Sequence, residues 1–266
     1  MIANARMYSV NTATAAAWRT LLAWVLARAG VAGTVIEYPA PQPLPTLWAR
    51  SDLGGVFMCG YPFSRTVPRP VVLAAPVPAG PGFDNRPVYW TDFIVRADAP
   101  FHRIEDTFGL RLAFTMPDSQ SGYQAPRRYL ATLANGKPLY AATVGPLVTP
   151  RRVIEAVLAG EADVGPLDSY VHALLRVSEP GTAGQLRVVA ATSPTPIPPL
   201  VASLSVPAAD VARLRSAFAD VAGSTELAAV RDALALRRFA QVPATDYDIL
   251  HAHAALADGA GYRQLG

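Results

Sequence analysis

The sequence predicts an α/β fold with mostly parallel sheets. Short β-rich runs alternate with amphipathic helix patterns along the whole chain, which is typical of this class. The chain has 266 residues, of which 51% are hydrophobic. That is enough for one large domain or for two lobes of ordinary domain size. Helix boundaries are also marked, by Thr149 before Pro150 and by Asn135-Gly136.

The elements follow in order from these patterns. Strands are predicted over residues 4–9, 33–38, 55–62, 70–78, 88–96, 110–115, 139–144, 164–168, 186–193 and 200–206. Helices are predicted over residues 12–29, 123–135, 149–163 and 169–181. Two or three further helices are predicted between Ala208 and about Ala257. Pro-rich stretches read as connections between these elements.

The N-terminal run 12–33 resembles a secretory leader, but arginines interrupt its apolar part at positions 19 and 28. Its apolar residues recur at helical spacing, so it is predicted to be an amphipathic helix capped by Asn11 or Thr12. The sequence therefore predicts a cytoplasmic protein. A periplasmic location is the alternative if a leader has been trimmed.

Composition excludes several classes of function. Charged residues make up 16% of the chain, and the net charge of +3 is spread without a basic block, so no nucleic-acid partner is expected. Cys59 is the only cysteine, and the four histidines lack ligand spacing. We expect no metal, no cofactor, no membrane span and a monomer.

Candidate binding residues lie at the ends of predicted strands and the starts of helices, where ligands bind in open α/β sheets. A helix start offers unpaired N–H groups and a positive dipole end, and serine hydroxyls add donors. Gly122 allows close approach, and Pro126 suits a first helical turn. This pattern predicts an anion site. The candidates are Tyr8, Tyr61, Tyr89, Trp90, Ser119, Gln120, Ser121, Gly122, Tyr123, Thr149 and Asp168.

Each candidate also has a structural interpretation. Ser119, Ser121, Thr149 and Asp168 are all residue types that cap helices. The tyrosines are also compatible with half-buried packing, and Arg127 and Arg128 are expected to be solvated. Only the shared position of the candidates at element ends favours binding.

Two segments resemble the phosphate/phosphonate-binding family of ABC-transporter solute-binding proteins. They are DSQSGYQAP at 118–126 and VIEAVLAGEADVGPLDSYVHALL at 153–175. Residues 47–65 and 192–203 resemble further blocks of that family. The likeness spans nearly the whole chain.

The resemblance implies a two-lobed type 2 periplasmic-binding-protein fold with two hinge crossings that closes over its ligand. Lobe one would hold residues 1–91 and 188–266, and lobe two residues 92–187. It further implies that Ser119, Ser121 and Gly122 hold an oxyanion, that Tyr61 lines the opposite wall, and that Asp168 contacts a ligand amine or hydroxyl. Tyr123 and Trp90 suggest a ligand with a flat portion.

The predicted function is therefore a non-enzymatic solute-binding protein. It would capture a small anionic or zwitterionic ligand between two lobes and work with an ABC permease. The family often has a histidine where this chain has Val148-Thr149, which puts phosphonate itself in doubt. The alternatives are an enzyme on the same fold, chorismate-dehydratase-like or of the thiamine-pyrimidine pathway, and a cytoplasmic ligand sensor. No catalytic constellation supports the enzyme.

Overall fold

The computed structural model describes residues 1–265, which divide into two compact units. The first unit holds Met1–Val88 and Pro196–Tyr247. The second unit holds Tyr89–Thr195 and the segment from Asp248 onward. The chain thus passes between the units three times, at 88–89, 195–196 and 247–248, which is one more than the two predicted hinge crossings, because the segment from Asp248 onward returns to the second unit.

Short strands and helices alternate along both units. The strands are β1 (Ile2–Asn4), β2 (Thr34–Val35), β3 (Leu53–Phe57), β4 (Val71–Pro78), β5 (Val88–Tyr89), β6 (Thr91–Arg96), β7 (Arg111–Ala113), β8 (Ala142–Val144), β9 (Gly165–Asp168), β10 (Leu186–Ala191), β11 (Thr195–Pro196), β12 (Leu200–Ala202) and β13 (Leu236–Ala240). The α-helices are α1 (Thr12–Ala29), α2 (Leu44–Trp48), α3 (Gly60–Arg65), α4 (Ala125–Ala134), α5 (Pro150–Leu158), α6 (Ser169–Ser178), α7 (Pro180–Gly184), α8 (Ala208–Asp220), α9 (Ala228–Ala233) and α10 (Asp248–Gly259).

The first unit is built on a six-stranded sheet in the order β13-β4-β12-β3-β1-β2. Strand β1 pairs in parallel with β2 and β3, whereas β12 and β13 pair antiparallel with their neighbours. The prediction of mostly parallel sheets is therefore wrong for the β13-β4-β12 half of this sheet. The strands that the chain adds when it returns to this unit run opposite to β3 and β4.

Helix α1 shows why the sequence folds as predicted here. Asn11 and Thr14 form a reciprocal capping box, and Gly30 ends the helix in the left-handed conformation with φ 60°. The buried face packs Trp18 edge-on against Phe57, with ring centroids 5.1 Å apart. Local caps and helical periodicity agree, so this predicted helix is confirmed.

The second unit contains the antiparallel sheet β10-β6-β9 and the parallel pair β7-β8. An isolated parallel bridge joins Leu112 of β7 to Val164, next to β9. A hydrophobic core lies between these strands and α4, and it contains the fully buried side chains of Phe93, Leu112 and Leu130. Helix α4 ends at Asn135, which adopts the predicted left-handed conformation with φ 47°.

Several predicted elements differ from the structure. The strand predicted over 4–9 stops at Asn4, because the Asn4 side chain accepts a bond from the Arg6 N–H (3.0 Å) and turns the chain into a 3-10 turn. The strand over 55–62 ends at Phe57, and Pro62 fits the first turn of α3. Helix α2 lies in the stretch that was predicted to be a Pro-rich connection. The sequence does not predict the edge strand β13, because this strand carries two adjacent arginines.

The C-terminal segment belongs to the second unit, whereas the sequence analysis placed it in lobe one. Arg127 of α4 accounts for this packing, since its side chain is almost fully buried and not solvated as predicted. Its guanidinium donates to the carbonyls of Ala254 (3.0 Å), Tyr262 (3.1 Å) and Arg263 (3.3 Å). It also pairs with Asp258. We call this set of contacts the Arg127 clamp.

Candidate functional site

Residues Ser119–Tyr123 form the start of the helix that leads into α4. Ser119 is the N-cap, and its hydroxyl accepts a hydrogen bond from the Gly122 N–H at 3.0 Å. A π-helical turn follows over Gln120–Gln124, and Pro126 lies in the first turn of α4, where its missing N–H costs nothing. Ser119 is therefore a cap, and its own O–H group can still donate to a ligand.

Gly122 packs against Thr115 at the end of the strand before it. A Cβ atom added at Gly122 would lie 1.9 Å from Thr115 Oγ1, which is far inside van der Waals contact. The Thr115 hydroxyl is fully buried and has no hydrogen-bond partner among residues 1–265. Gly122 is thus required for close packing of the helix start, in addition to the predicted approach of a ligand.

We expect Gly122→Ala to lower the free energy of unfolding by about 1–3 kcal/mol, the usual range for overpacking a tight site. Thr115→Ala in the same chain removes two of the three clashing atoms and should recover part of that loss. Gly181→Ala is the matched control, because a Cβ there meets no atom within 4 Å. Urea unfolding measures all three. Equal stability of the Gly122 and Gly181 variants would contradict the close packing.

The loop before α5 lies against the same threonine. The Val148 N–H donates to the Thr115 carbonyl at 3.1 Å, although Val148 has a positive φ of 67°. A β-branched residue in this region is strained and persists only where its surroundings hold it. Thr149 follows as the N-cap of α5, accepting from the Arg152 N–H at 3.3 Å, as the sequence predicts. The loop therefore brings Thr149 to the neighbourhood of Thr115 and Gly122.

The starts of β6 and α6 complete the cluster. The Thr91 hydroxyl donates to the Ser121 carbonyl at 2.9 Å, and Thr91 is paired with Asp168 across β6 and β9. Oδ1 of Asp168 accepts from the N–H groups of Tyr170 (2.8 Å) and Val171 (3.1 Å). Asp168 is therefore a helix cap. Whether it also contacts a ligand stays a prediction.

The electrostatics of the cap affect the neighbouring phenol. Burial raises the pKa of the Tyr170 phenol well above its ordinary value, and the negative charge of Asp168 contributes to the same shift. Tyr170 is fully buried, so its side chain belongs to the core of the second unit.

The structure gives the predicted aromatic residues different surroundings. The Tyr123 ring packs on Phe114, and its hydroxyl accepts from the Leu265 N–H at 3.4 Å. Ligand contact by Tyr123 stays a prediction. Tyr89 is buried in the second unit. Gln120 is also fully buried there.

Tyr8 and Tyr61 belong to the first unit. Tyr8 packs edge-on against Phe57 with centroids 4.9 Å apart. The Tyr61 hydroxyl accepts from Arg65 Nη1 at 3.3 Å, and the guanidinium of Arg65 lies over its ring. Ligand contact by either tyrosine stays a prediction.

A buried polar chain runs from Trp90 into α6, and the sequence analysis did not predict it. Trp90 Nε1 donates to Asp92 Oδ1 (2.8 Å), and Asp92 Oδ2 lies 2.7 Å from His172 Nδ1. One signal for it exists in the sequence, because Asp168, His172 and Arg176 are spaced by four and share one helix face. The pairing of Asp92 with His172 spans 80 residues and has no local signature.

Neither a metal site nor a membrane span emerges from residues 1–265. No group of three His, Cys, Asp or Glu side chains is arranged to hold a metal ion in this part of the chain. None of its helices combines the length and the apolar character that a bilayer crossing requires. Cys59 is buried and forms no disulfide within residues 1–265.

The fold is that of periplasmic binding proteins, as the resemblance implied. A binding protein of an ABC phosphonate transporter from Pseudomonas aeruginosa superposes with a TM-score of 0.80 over 97% of this chain and 87% of its own, at 19% identity. PhnD1 from Prochlorococcus marinus, solved with methylphosphonate, gives 0.79 over 97% of both chains at 17% identity. A Xanthomonas citri protein bound to ATP gives 0.63 over 98% and 97%, at 19% identity.

The sequence itself identifies the family. The family described as "ABC transporter, phosphonate, periplasmic substrate-binding protein" matches residues 52–247. This chain belongs to that family of ABC-transporter substrate-binding proteins. Its members are solute-binding proteins rather than enzymes, which confirms the predicted function class over the alternative of an enzyme on the same fold. A comparison with curated protein sequences gives no significant match.

Proposed function

We propose that this chain binds a small anion at the helix start Ser119–Tyr123 and delivers it to an ABC permease. The observation that carries the proposal is the convergence of hydroxyls and helix ends on this point. Ser119 caps the turn that leads into α4, and Thr149 caps α5. The hydroxyl of Thr91 in β6 donates to the Ser121 carbonyl and holds it in place. Two helix N-termini beside serine and threonine hydroxyls favour an oxyanion.

The proposed site has acidic residues near it, so an anion there would be held by neutral donors and helix dipoles rather than by a cationic side chain. Asp168, the carboxylate nearest to the cluster along β9, already accepts two backbone N–H groups. Asp118 precedes the cap and is exposed to solvent. The ligand head group is therefore a phosphonate, a phosphate or a carboxylate, held by neutral donors and helix dipoles. Family membership supports a periplasmic location and an ABC permease as partner.

The experiment is a calorimetric titration series, after native mass spectrometry has shown whether a small molecule co-purifies. Methylphosphonate, inorganic phosphate and adipate are the anionic probes, since related folds were solved with methylphosphonate and adipate. We expect at least one anion to bind with one-to-one stoichiometry. Putrescine and glycerol are the cationic and neutral controls. Binding of either control in preference to every anion would contradict the proposal.

A second pair of probes tests the predicted contact of Asp168. 2-Aminoethylphosphonate adds an ammonium group to a methylphosphonate-like head. If the carboxylate of Asp168 reaches the ligand, the amine should strengthen binding roughly tenfold or more, as a charge-assisted hydrogen bond does. Asp168→Asn should then erase the difference between the two phosphonates. If Asp168 only caps α6, the two phosphonates should bind alike in both proteins.

A further inference from the structure

The second unit contains a pocket of about 430 Å³ between α6, α7 and β10. Its volume is in the range that holds small organic molecules. The pocket shares no lining residue with the candidate anion site. Its walls include His172, Arg176, Ala183, Gly184, Leu186 and Val188.

His172 brings an oriented polar group to this pocket. Its side chain is only 3% exposed, and Nδ1 lies against the carboxylate of Asp92, which the Trp90 indole also holds. A carboxylate at one ring nitrogen fixes the orientation of an imidazole and directs the other nitrogen outward. Within residues 1–265, the hydrogen bonds of His172 involve Nδ1 alone. Nε2 is therefore the nitrogen that a ligand in the pocket can reach.

Arg176 supplies a positive charge one helical turn later. Its side chain is exposed, and Nη2 lies 3.5 Å from His172 Nδ1. No carboxylate among residues 1–265 forms a direct ion pair with it, and the Asp92 carboxylate is linked to it only through His172 Nδ1. An exposed guanidinium beside a pocket that forms no direct ion pair can take a carboxylate ligand.

The opposite wall is apolar. Leu186 and Val188 of β10 line it, and Val188 is 37% exposed. Ala183 and Gly184 of α7 leave the space above them open. A ligand that fills the pocket therefore has a short aliphatic part as well as a charged end.

We propose that this pocket binds a short-chain hydroxycarboxylate. The carboxylate pairs with Arg176, the hydroxyl bonds to His172 Nε2, and the carbon chain lies on Leu186 and Val188. A hydroxyl suits Nε2 in either protonation state, because it donates to a neutral ring and accepts from a protonated one. The site is distinct from the proposed anion site and does not depend on it.

The probes are 3-hydroxybutyrate, butyrate and 1,3-butanediol, titrated calorimetrically. We expect 3-hydroxybutyrate to bind best, butyrate several-fold more weakly, and the diol, which lacks the carboxylate, not at all. Arg176→Gln should weaken 3-hydroxybutyrate roughly tenfold to a hundredfold, the range for a charged hydrogen bond. Arg152→Gln, on an exposed face of α5, should leave it unchanged. His172 is not substituted, because its loss would leave the buried carboxylate of Asp92 without this hydrogen-bond partner.

A filling variant tests the location. A Cβ atom added at Gly184 meets no atom within 4 Å, and Gly184 lines the pocket, so we expect the side chain of Gly184→Leu to extend into it without disturbing the fold. Gly181→Leu on the same short helix has equal room and does not line the pocket, so it is the control. We expect the first to abolish binding of 3-hydroxybutyrate and the second to preserve it.

The variant carrying Ser119→Ala and Ser121→Ala separates the two sites. It should retain 3-hydroxybutyrate binding, whatever happens to phosphonate binding. Loss of 3-hydroxybutyrate binding in that variant, with normal binding in Gly184→Leu, would place the probe at the helix start and overturn the pocket proposal. Absence of binding to the unmodified protein at tens of millimolar would also overturn it.

Discussion

Replacing both Ser119 and Ser121 by alanine is expected to weaken binding of the anion roughly a hundredfold or more. Each hydroxyl that donates to a charged group contributes about 1.5–3 kcal/mol, and two such donors are lost. The measurement is a calorimetric titration with whichever of methylphosphonate, phosphate or adipate the unmodified protein binds. Melting temperatures of the same samples show how much of the effect is structural.

The single variants Ser119→Ala and Ser121→Ala should differ in their effect on stability. The Ser119 hydroxyl accepts from the Gly122 N–H, so Ser119→Ala should cost both affinity and about 1 kcal/mol of stability. The Ser121 hydroxyl has no hydrogen bond within residues 1–265, and its structural contact is made by its carbonyl to Thr91. Ser121→Ala should therefore reduce affinity and leave stability nearly unchanged.

Asn11→Ala provides the matched control for a lost cap. Asn11 caps α1 in the first unit through the same kind of bond, from the Thr14 N–H at 2.9 Å. This variant should melt earlier and bind the anion normally. If the double serine variant behaves like Asn11→Ala, with earlier melting and full affinity, residues 119–123 are only a helix start.

The fold was predictable wherever local signals and burial agree. Helix α1 has a capping box and a terminal glycine, and α5 has Thr149 before a proline, so both begin where the sequence indicates. The turn at Arg6 depends on a side-chain bond to Asn4, and β13 is an edge strand that tolerates arginines. Such features depend on tertiary context that a propensity pattern does not contain.

The site was predictable in part for the same reason. The serines stand beside a glycine and a proline that mark a helix start, which is a local signal. The tight contact between Gly122 and Thr115 spans seven residues and arises from how a strand end meets a helix. The bond from Thr91 to Ser121 and the Asp92–His172 pair join residues 30 and 80 positions apart, so neither leaves a periodic trace.

The Arg127 clamp explains why the C-terminal segment packs with the second unit, whereas the sequence predicted it in lobe one. An arginine in an amphipathic helix is normally solvated, and only the folded chain shows that this one is buried. The buried guanidinium replaces its hydration with three backbone carbonyls, the Gln124 side chain and Asp258. Each of these acceptors would lose a partner if the charge were removed.

We therefore expect Arg127→Met to lower the free energy of unfolding by about 3 kcal/mol or more, because buried carbonyls would lose charged donors. Arg128→Met is the matched control on the adjacent, half-buried position and should change stability by less than about 1 kcal/mol. Asp258→Asn should also have a small effect, since the Asp258 side chain is 57% exposed and exposed pairs contribute little.

Urea unfolding measures the energies, and limited proteolysis followed by mass spectrometry measures release of the segment after residue 247. Equal stability of the Arg127 and Arg128 variants, with the segment still protected, would mean that apolar contacts of Ala257, Tyr262 and Leu265 with the core hold it without the clamp.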